Sequence, residues 1–213
     1  MKLHRMPVGP FATNCVVVED ELTRDALVID PGSEADRILG RVERLGVRPV
    51  RIVLTHGHLD HCMEAAALSR RLGIPVSLHD GDLLMYRNLA EQVRFLMGPS
   101  AVALLGPDPV VETVAMREGD RFCIGSTGLT VLDLPGHSPG SVGLLSEGSP
   151  GSLICGDTVF RDGVGRTDLW GGDFATLDRS IRERILTLPD DTRLIPGHGG
   201  ETTVGRERRY FRS

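Results

Sequence analysis

The chain has 213 residues, of which 40% are hydrophobic and 25% are charged, and its formal net charge is −5 at pH 7. Length and composition are typical of a globular chain with a substantial core, so we expect residues 1–213 to form a single domain and exclude a disordered chain. The negative charge argues against a nucleic-acid partner. No apolar stretch approaches the ~20 residues that span a bilayer, so we expect no membrane partner either.

Short apolar runs of strand length recur along the whole chain. They are rich in Val, Ile and Leu, and Gly, Pro and Asp, which favour turns, separate them. The predicted strands cover residues 15–19, 26–29, 52–54, 76–78, 110–116, 129–134, 142–146, 153–155 and 193–195.

Four helices are predicted between these strands. Residues 34–45 carry one apolar face, with Ser33 as the expected N-cap and Gly46 as the C-terminal stop. The strands are too many for a few helices to bury as one parallel sheet, so the pattern favours two facing sheets with helices outside, an α/β (α+β) fold. The other predicted helices cover residues 62–72, 82–97 and 174–188.

Histidine and aspartate are concentrated in one short segment. Residues 55–61 read Thr-His-Gly-His-Leu-Asp-His and follow a predicted strand. His56 and His58 can converge on one ion, while Asp60 and His61 can reach a second position nearby. Burying such side chains without a cation would leave polar groups unsatisfied, at roughly 1–3 kcal/mol each. The segment therefore predicts a metal site.

Three further ligand-type side chains lie in Gly-rich turns. His137, Asp157 and His198 each follow an apolar run by one to three residues. Loops at strand ends are where ligands from distant parts of the sequence meet, so we predict that these residues join the same site.

The four cysteines are scattered without paired spacing. A disulfide framework is therefore not expected, and a reducing, cytoplasmic location fits best. Cys62 and Cys155 lie near predicted ligands in the sequence. A free cysteine usually behaves as a small buried hydrophobe, so we expect neither of them to be a nucleophile.

The order of these residues resembles that of the metallo-β-lactamase superfamily: His56-x-His58-x-Asp60-His61, then His137, Asp157 and His198. The chain is more closely similar to the glyoxalase II-like branch, through the segments Gly-Asp-Thr at 156–158, Gly-Arg-Thr-Asp at 165–168 and Pro-Gly-His-Gly at 196–199. The resemblance implies a four-layer αββα sandwich with the site at the edge between the two sheets.

The resemblance also implies two divalent metal ions, each held by three residues and joined by one carboxylate. The implied ligands are His56, His58 and His137 for the first ion, Asp60, His61 and His198 for the second, and Asp157 as the bridge. None of these ligands is sulfur. We expect zinc, with iron or manganese as the alternatives.

The implied activity is hydrolysis of a small acyl-thiol substrate, a thioester of the hydroxyacylglutathione type. Two ions about 3.5–4 Å apart lower the pKa of a shared water to ~7, so a metal-bound hydroxide is the expected nucleophile, with Asp60 and Asp157 as catalytic residues. Longer glyoxalase II enzymes use a C-terminal helical domain for much of the glutathione contact, whereas fifteen residues follow His198 here. The thiol and the acyl group are therefore left open.

Three side chains are predicted to contact the substrate. Residues 82–97 are unusually apolar, so Tyr86 and Phe95 are expected in a lid or wall of the substrate cleft, with core packing as the alternative. Arg166 is the third predicted contact, and a structural ion pair with Asp168 is its alternative.

Other functions use the same kind of scaffold. A persulfide dioxygenase would hold a single iron with His56, His137 and Asp157, a 2-His-1-carboxylate site. Lactone or β-lactam hydrolysis would use the dinuclear site. The acidic balance disfavours a nuclease, and the complete ligand set disfavours a non-enzymatic binding module. The sequence does not determine the oligomeric state.

Overall fold

Two six-stranded sheets face each other in the computed structural model, which describes residues 1–105, 110–148 and 150–211. The first sheet has the strand order β1 (Lys2–Val8), β2 (Thr13–Glu19), β3 (Asp25–Ile29), β4 (Arg48–Val53), β5 (Val76–His79) and β6 (Thr113–Met116). The later strands are β7 (Arg121–Ile124), β8 (Thr127–Asp133), β9 (Val142–Ser146), β10 (Ser152–Gly156), β11 (Val159–Phe160), β12 (Gly163–Val164), β13 (Arg193–Pro196) and β14 (Thr202–Thr203). The second sheet has the order β14-β13-β10-β9-β8-β7, and β11 pairs with β12 as a separate hairpin.

The helices connect and cover these sheets. Within the described ranges, none of them has the length and apolar content that crossing a bilayer requires. They are α1 (Ala35–Leu45), α2 (Leu59–Cys62), α3 (Ala65–Leu72), α4 (Leu83–Arg87), α5 (Leu89–Met97), α6 (Pro99–Leu105), α7 (Phe174–Ser180) and α8 (Val204–Glu207).

The strands β2 and β3 of the first sheet are buried on both faces, which explains why most of their residues are apolar. Successive side chains of a strand point to opposite faces. In β2, Cys15 and Val17 therefore pack with the helices α1, α2, α3 and α5, whereas Val16 and Val18 pack between the sheets. A third cluster packs Leu177 of α7 against the outer face of the second sheet. The layers run helix, sheet, sheet, helix, so the predicted αββα sandwich is confirmed.

Three predicted helices are interrupted, and the one predicted at 62–72 has a turn at residues 63 and 64 between α2 and α3. The helix predicted at 82–97 breaks at Asn88. The Asn88 side chain donates a hydrogen bond to the Leu84 carbonyl at 2.7 Å, so the backbone N–H of Asn88 donates to the Met85 carbonyl instead. The helix predicted at 174–188 changes to a π-helical turn at Ile181–Ile185.

The capping prediction for α1 is half right. Ser33 does not cap the helix, because Glu34 lies between it and Ala35 in a left-handed conformation with φ of 60° and no side-chain cap. Gly46 ends the helix as predicted, with φ of 63°, a conformation that costs glycine little.

Packing between the sheets yields a stability prediction. Ile29 is fully buried between them, so Ile29→Ala is expected to lower the free energy of unfolding by about 2–5 kcal/mol. Leu22 is 81% exposed, and Leu22→Ala is the control, with an expected change within about 0.5 kcal/mol. Urea unfolding measures both. Equal midpoints for the two variants would contradict the placement of Ile29.

Candidate metal centre

Four loops bring the predicted ligands to one edge of the sandwich. In the second sheet β10 and β13 are parallel neighbours, so Asp157 and His198 follow adjacent strand ends. Strand β8 is antiparallel to β9, which is antiparallel to β10, so the loop carrying His137 leaves the sheet at the same edge. His56 follows β4 of the first sheet. Residues far apart in sequence thus meet because their strands end together.

Backbone hydrogen bonds join the two sheets at this edge. The Asn14 N–H donates to the Gly197 carbonyl at 2.6 Å, and the Val142 N–H donates to the Thr55 carbonyl at 2.8 Å. These bonds fix the ligand-bearing loops of one sheet against those of the other.

Three imidazoles form the first group. One ring nitrogen from each of His56, His58 and His137 lies within 4.8 Å of the others. His58 Nδ1 and His137 Nε2 are 2.8 Å apart. His56 Nε2 is buried and has no hydrogen-bond partner among the described residues. A buried nitrogen without a partner is costly, and a cation among the three rings would satisfy it.

A carboxylate and two imidazoles form the second group. One ligand atom from each of Asp60, His61 and His198 also lies within 4.8 Å of the others. His198 Nε2 is 3.2 Å from Asp60 Oδ2 and 3.3 Å from His61 Nε2. The oxygen and the two nitrogens therefore surround a second position for a divalent ion.

The carboxylate of Asp157 lies between the two groups. Its Oδ1 is 3.4 Å from His61 Nε2, while its Oδ2 is 3.7 Å from His137 Nε2 and 3.5 Å from His198 Nε2. It therefore contacts members of both groups, which is the placement that a bridging ligand needs.

Hydrogen bonds behind the rings orient three of the imidazoles. Because carbonyl and carboxylate oxygens only accept, Nδ1 carries a proton in each of these bonds, and Nε2 is the nitrogen left to bind a metal. The three bonds run from His137 Nδ1 to the Arg166 carbonyl at 2.7 Å, from His198 Nδ1 to the Phe11 carbonyl at 3.0 Å, and from His61 Nδ1 to Asp30 Oδ2 at 3.0 Å. The donor set therefore fits a pair of divalent ions.

Asp30 is a site residue that the sequence did not reveal, because it follows a predicted strand in an Asp-Pro-Gly segment of the kind that favours a turn. Besides the His61 ring, its carboxylate accepts hydrogen bonds from the Thr55 N–H at 2.7 Å and the Thr55 hydroxyl at 2.6 Å. The available signal was its position at the end of β3, which pairs in parallel with β4 and so ends beside Thr55.

The pKa values of the side chains differ between the two groups of ligands. Burial, together with the neighbouring His137, lowers the pKa of His58 to about 3, so this ring is neutral. Burial alone would raise the pKa of Asp60, but His61 and His198 bring it to about 2. Burial alone would lower the pKa of His198, but its hydrogen bonds to Asp157 and Asp60 raise it to about 9. The second group therefore attracts positive charge.

Glycine at 197 is required by close packing at the centre. A Cβ on Gly197 would lie 2.1 Å from Asp157 Oδ1 and 2.6 Å from His61 Cε1. Both contacts are far shorter than van der Waals distances, so any larger residue would displace a predicted ligand.

Asp82, which the sequence analysis treated only as the start of a helix, joins two of the ligand-bearing loops. Its side chain is fully buried. Oδ2 accepts from the Gly57 N–H at 2.8 Å and the Ser138 hydroxyl at 2.6 Å, and Oδ1 accepts from the Gly140 N–H at 2.6 Å. Asp82 therefore holds the loop of His58 against the loop of His137.

The structure gives a different outcome for each of the three predicted substrate contacts. Phe95 lines a cavity of about 460 Å³ that also borders His58. Tyr86 is fully buried in the core between helices and sheet, so its predicted place in the cleft wall is wrong. The Arg166 guanidinium makes two bonds to Asp168, of 2.6 and 2.8 Å, as the structural alternative predicted.

A sequence model of the Metallo-beta-lactamase superfamily matches residues 8–198, and the chain belongs to that superfamily. The chain is 37% identical to the hydroxyacylglutathione hydrolase GloC of Haemophilus influenzae, over 98% of this chain and 96% of that one. Two solved structures are similar over 97% or more of both chains: the BLEG-1 B3 metallo-beta-lactamase, with a TM-score of 0.87 and 32% identity, and TTHA1623 in a di-iron-bound form, with a TM-score of 0.83 and 36% identity. Family and site together indicate a metal-dependent enzyme.

The position of Asp82 yields a prediction for metal affinity. An amide offers one accepting oxygen where the carboxylate offers two, so Asp82→Asn loses at least one of the three bonds between the loops. We expect the affinity for divalent metal to fall by about 10–100-fold, as when other groups that orient ligands are removed.

Competition with a chelator measures that affinity. The matched control is Asp36→Asn, because the Asp36 side chain is 89% exposed. Equal affinities in the two variants would contradict the positioning role of Asp82.

Proposed function

We propose that this chain is a dinuclear metal-dependent hydrolase that acts on thioesters of small acyl-thiols. The observation that carries the proposal is the placement of Asp157 between two complete groups of three ligand-type side chains. Similarity to a protein named hydroxyacylglutathione hydrolase supports the thioester class. Zinc is the expected metal, and similarity to a di-iron-bound structure supports iron as the alternative.

The chain's own residues would hold the ions and orient the reactants. His56, His58 and His137 would bind one ion, Asp60, His61 and His198 the other, and Asp157 both. When bound, two divalent ions lower the pKa of a shared water and polarise the substrate carbonyl, so that no serine or cysteine nucleophile is needed.

Asp60 and Asp157 are the proposed catalytic carboxylates. Asp60 is 20% exposed, so solvent and substrate can reach it, and its Oδ2 accepts a hydrogen bond from the Thr13 hydroxyl at 3.0 Å. This bond fixes the carboxylate, which then orients the attacking water through a hydrogen bond of its own. Thr13 acts through Asp60 and is a positioning residue.

Hydrolysis of a lactone or a β-lactam is the second candidate, because the chain is similar to a protein named a B3 metallo-beta-lactamase. A mononuclear iron persulfide dioxygenase would need only His56, His137 and Asp157. The second group around Asp60 supports two ions and favours hydrolysis over that alternative.

A substrate panel tests the proposal. Purified protein of known metal content is assayed with thioesters, lactones, a β-lactam, and a persulfide in the presence of oxygen. We expect thioesters to have the highest kcat/KM. Oxygen uptake that depends on the persulfide, with one iron per chain, would reject the hydrolase proposal and support a persulfide dioxygenase.

A cytoplasmic location is part of the proposal. All four cysteines are free, and Cys15, Cys62 and Cys155 are buried. A reducing compartment keeps such thiols free.

Removal of the bridging carboxylate tests the centre itself. Asp157→Ala is expected to lower thioester turnover by at least about 100-fold, because a metal-organising group is lost. Asp36→Ala, at an exposed surface position, is the matched control and should keep the activity of the unmodified chain. If Asp157→Ala also keeps that activity, the bridging role is wrong.

Removal of a thiol tests the absence of a cysteine nucleophile. Cys62 is fully buried, and burial raises the pKa of its thiol well above the usual range, so no thiolate forms at neutral pH. The Cys62→Ala variant is expected to keep its thioester turnover within about threefold. Loss of turnover with metal affinity unchanged would show that the thiol takes part in the reaction.

A further inference from the structure

The cavity beside His58 has apolar walls from two separate parts of the fold. Phe95 and Leu96 come from α5, and Leu169 and Trp170 come from the loop after β12. Its volume of about 460 Å³ lies within the range of small-molecule sites. Because His58 belongs to both the cavity and the first ligand group, a molecule reacting at the metal centre can extend directly into this space.

The two aromatic side chains are unusually exposed for their size. Phe95 is 78% exposed and Trp170 is 52% exposed. Large exposed apolar groups beside a concave site indicate a surface that a ligand covers. Aromatic rings provide a large apolar contact area at a small cost in side-chain entropy.

The charge of the cavity is the second observation. Among the described residues that line it there is no lysine or arginine, and the only carboxylate is that of Glu91, which forms an ion pair with Arg94. A second cavity, of about 100 Å³, lies on the Asp60 side of the centre, and its described lining also lacks lysine and arginine. Neither space offers a cationic partner to a carboxylate on the substrate.

We propose that the larger cavity binds an uncharged apolar group next to the scissile bond, and that Phe95 and Trp170 determine this specificity. The inference rests on the proposed thioester hydrolysis and names its substrate class. A glutathione moiety carries free carboxylates, and the described lining of the two cavities places Glu91 and Asp60 near them but no lysine or arginine. The favoured thioesters are therefore those with apolar, neutral substituents.

The apolar group can belong to the acyl side or to the thiol side, and two series of substrates distinguish these sources. In the first, the thiol is N-acetylcysteamine and the acyl group changes from acetyl to phenylacetyl. In the second, the acyl group is acetyl and the thiol changes from N-acetylcysteamine to benzyl mercaptan. We expect kcat/KM to rise about tenfold or more in one series, since a hydrophobic pocket discriminates by such factors.

One pair of substrates tests whether free carboxylates on the substrate are disfavoured. S-Acetylglutathione and its dimethyl ester differ only in the free carboxylates, and we expect the ester to have the higher kcat/KM. Glu91→Gln should reduce the difference between them. A higher kcat/KM for the free acid in the unmodified chain would overturn the inference.

Variants of Phe95 test the wall of the cavity. Phe95→Ala should raise KM for the apolar thioester about tenfold more than it raises KM for the small acetyl thioester, and Phe95→Leu should restore most of the loss. Since Phe95 is largely exposed, neither change should disturb folding. Leu22→Ala is the control for loss of an exposed apolar side chain far from the cavity. An equal effect of Phe95→Ala on both thioesters would contradict a specificity role.

A binding measurement separates the inference from the proposed function. Trp170 is the only tryptophan in the chain, so its fluorescence reports directly on the cavity. We expect S-benzyl-N-acetylcysteamine, a thioether that cannot be hydrolysed, to change this fluorescence in a saturable manner, with about tenfold weaker binding to Phe95→Ala. Saturable binding without turnover of any thioester would reject the hydrolase proposal and support the cavity assignment. Turnover of thioesters without this binding would reject the cavity assignment alone.

Discussion

The structure depends on holding three carboxylates and five imidazoles together at one largely buried edge of a sandwich. Asp30, Asp60 and Asp157 share this space with the histidines, and carboxylates out of water need positive charge or hydrogen bonds nearby. Backbone and hydroxyl donors supply part of that need, as Thr55 does for Asp30. A pair of divalent cations would supply the rest and would also satisfy His56 Nε2. The centre is thus an arrangement of groups that a cation stabilises.

The sandwich makes this concentration of polar groups tolerable. Three apolar clusters, one between the sheets and one behind each sheet, hold the strands rigidly, while the polar side chains are confined to loops at one edge. Contacts between loops then set the geometry: Asp82 connects two loops, and Gly197 allows a third to approach Asp157. We infer that substrate selection comes from apolar side chains of α5 and of the loop of Trp170, which border the centre.

Most of the centre could be predicted from sequence because ligand-type residues are adjacent in one segment and recur in Gly-rich turns. Asp30 and Asp82 could not be found in this way. Their roles depend on which strands are parallel neighbours and on which backbone N–H groups lie nearby, and neither is visible in local sequence. The prediction for Tyr86 was wrong because an apolar stretch indicates a buried face but does not distinguish the core from a cleft. Asn88 interrupts its helix by a side-chain bond that a hydrophobic pattern does not reveal.

The number of divalent ions that one chain binds tests whether the two groups of ligands hold a pair of metals. Apoprotein is titrated with zinc, and native mass spectrometry counts the ions on each chain. We expect two ions per chain in the unmodified protein and one in a His198→Ala variant, because that variant keeps the first group of three imidazoles complete. A single ion in the unmodified protein at saturating zinc, or two ions held equally well after the change at His198, would contradict this expectation.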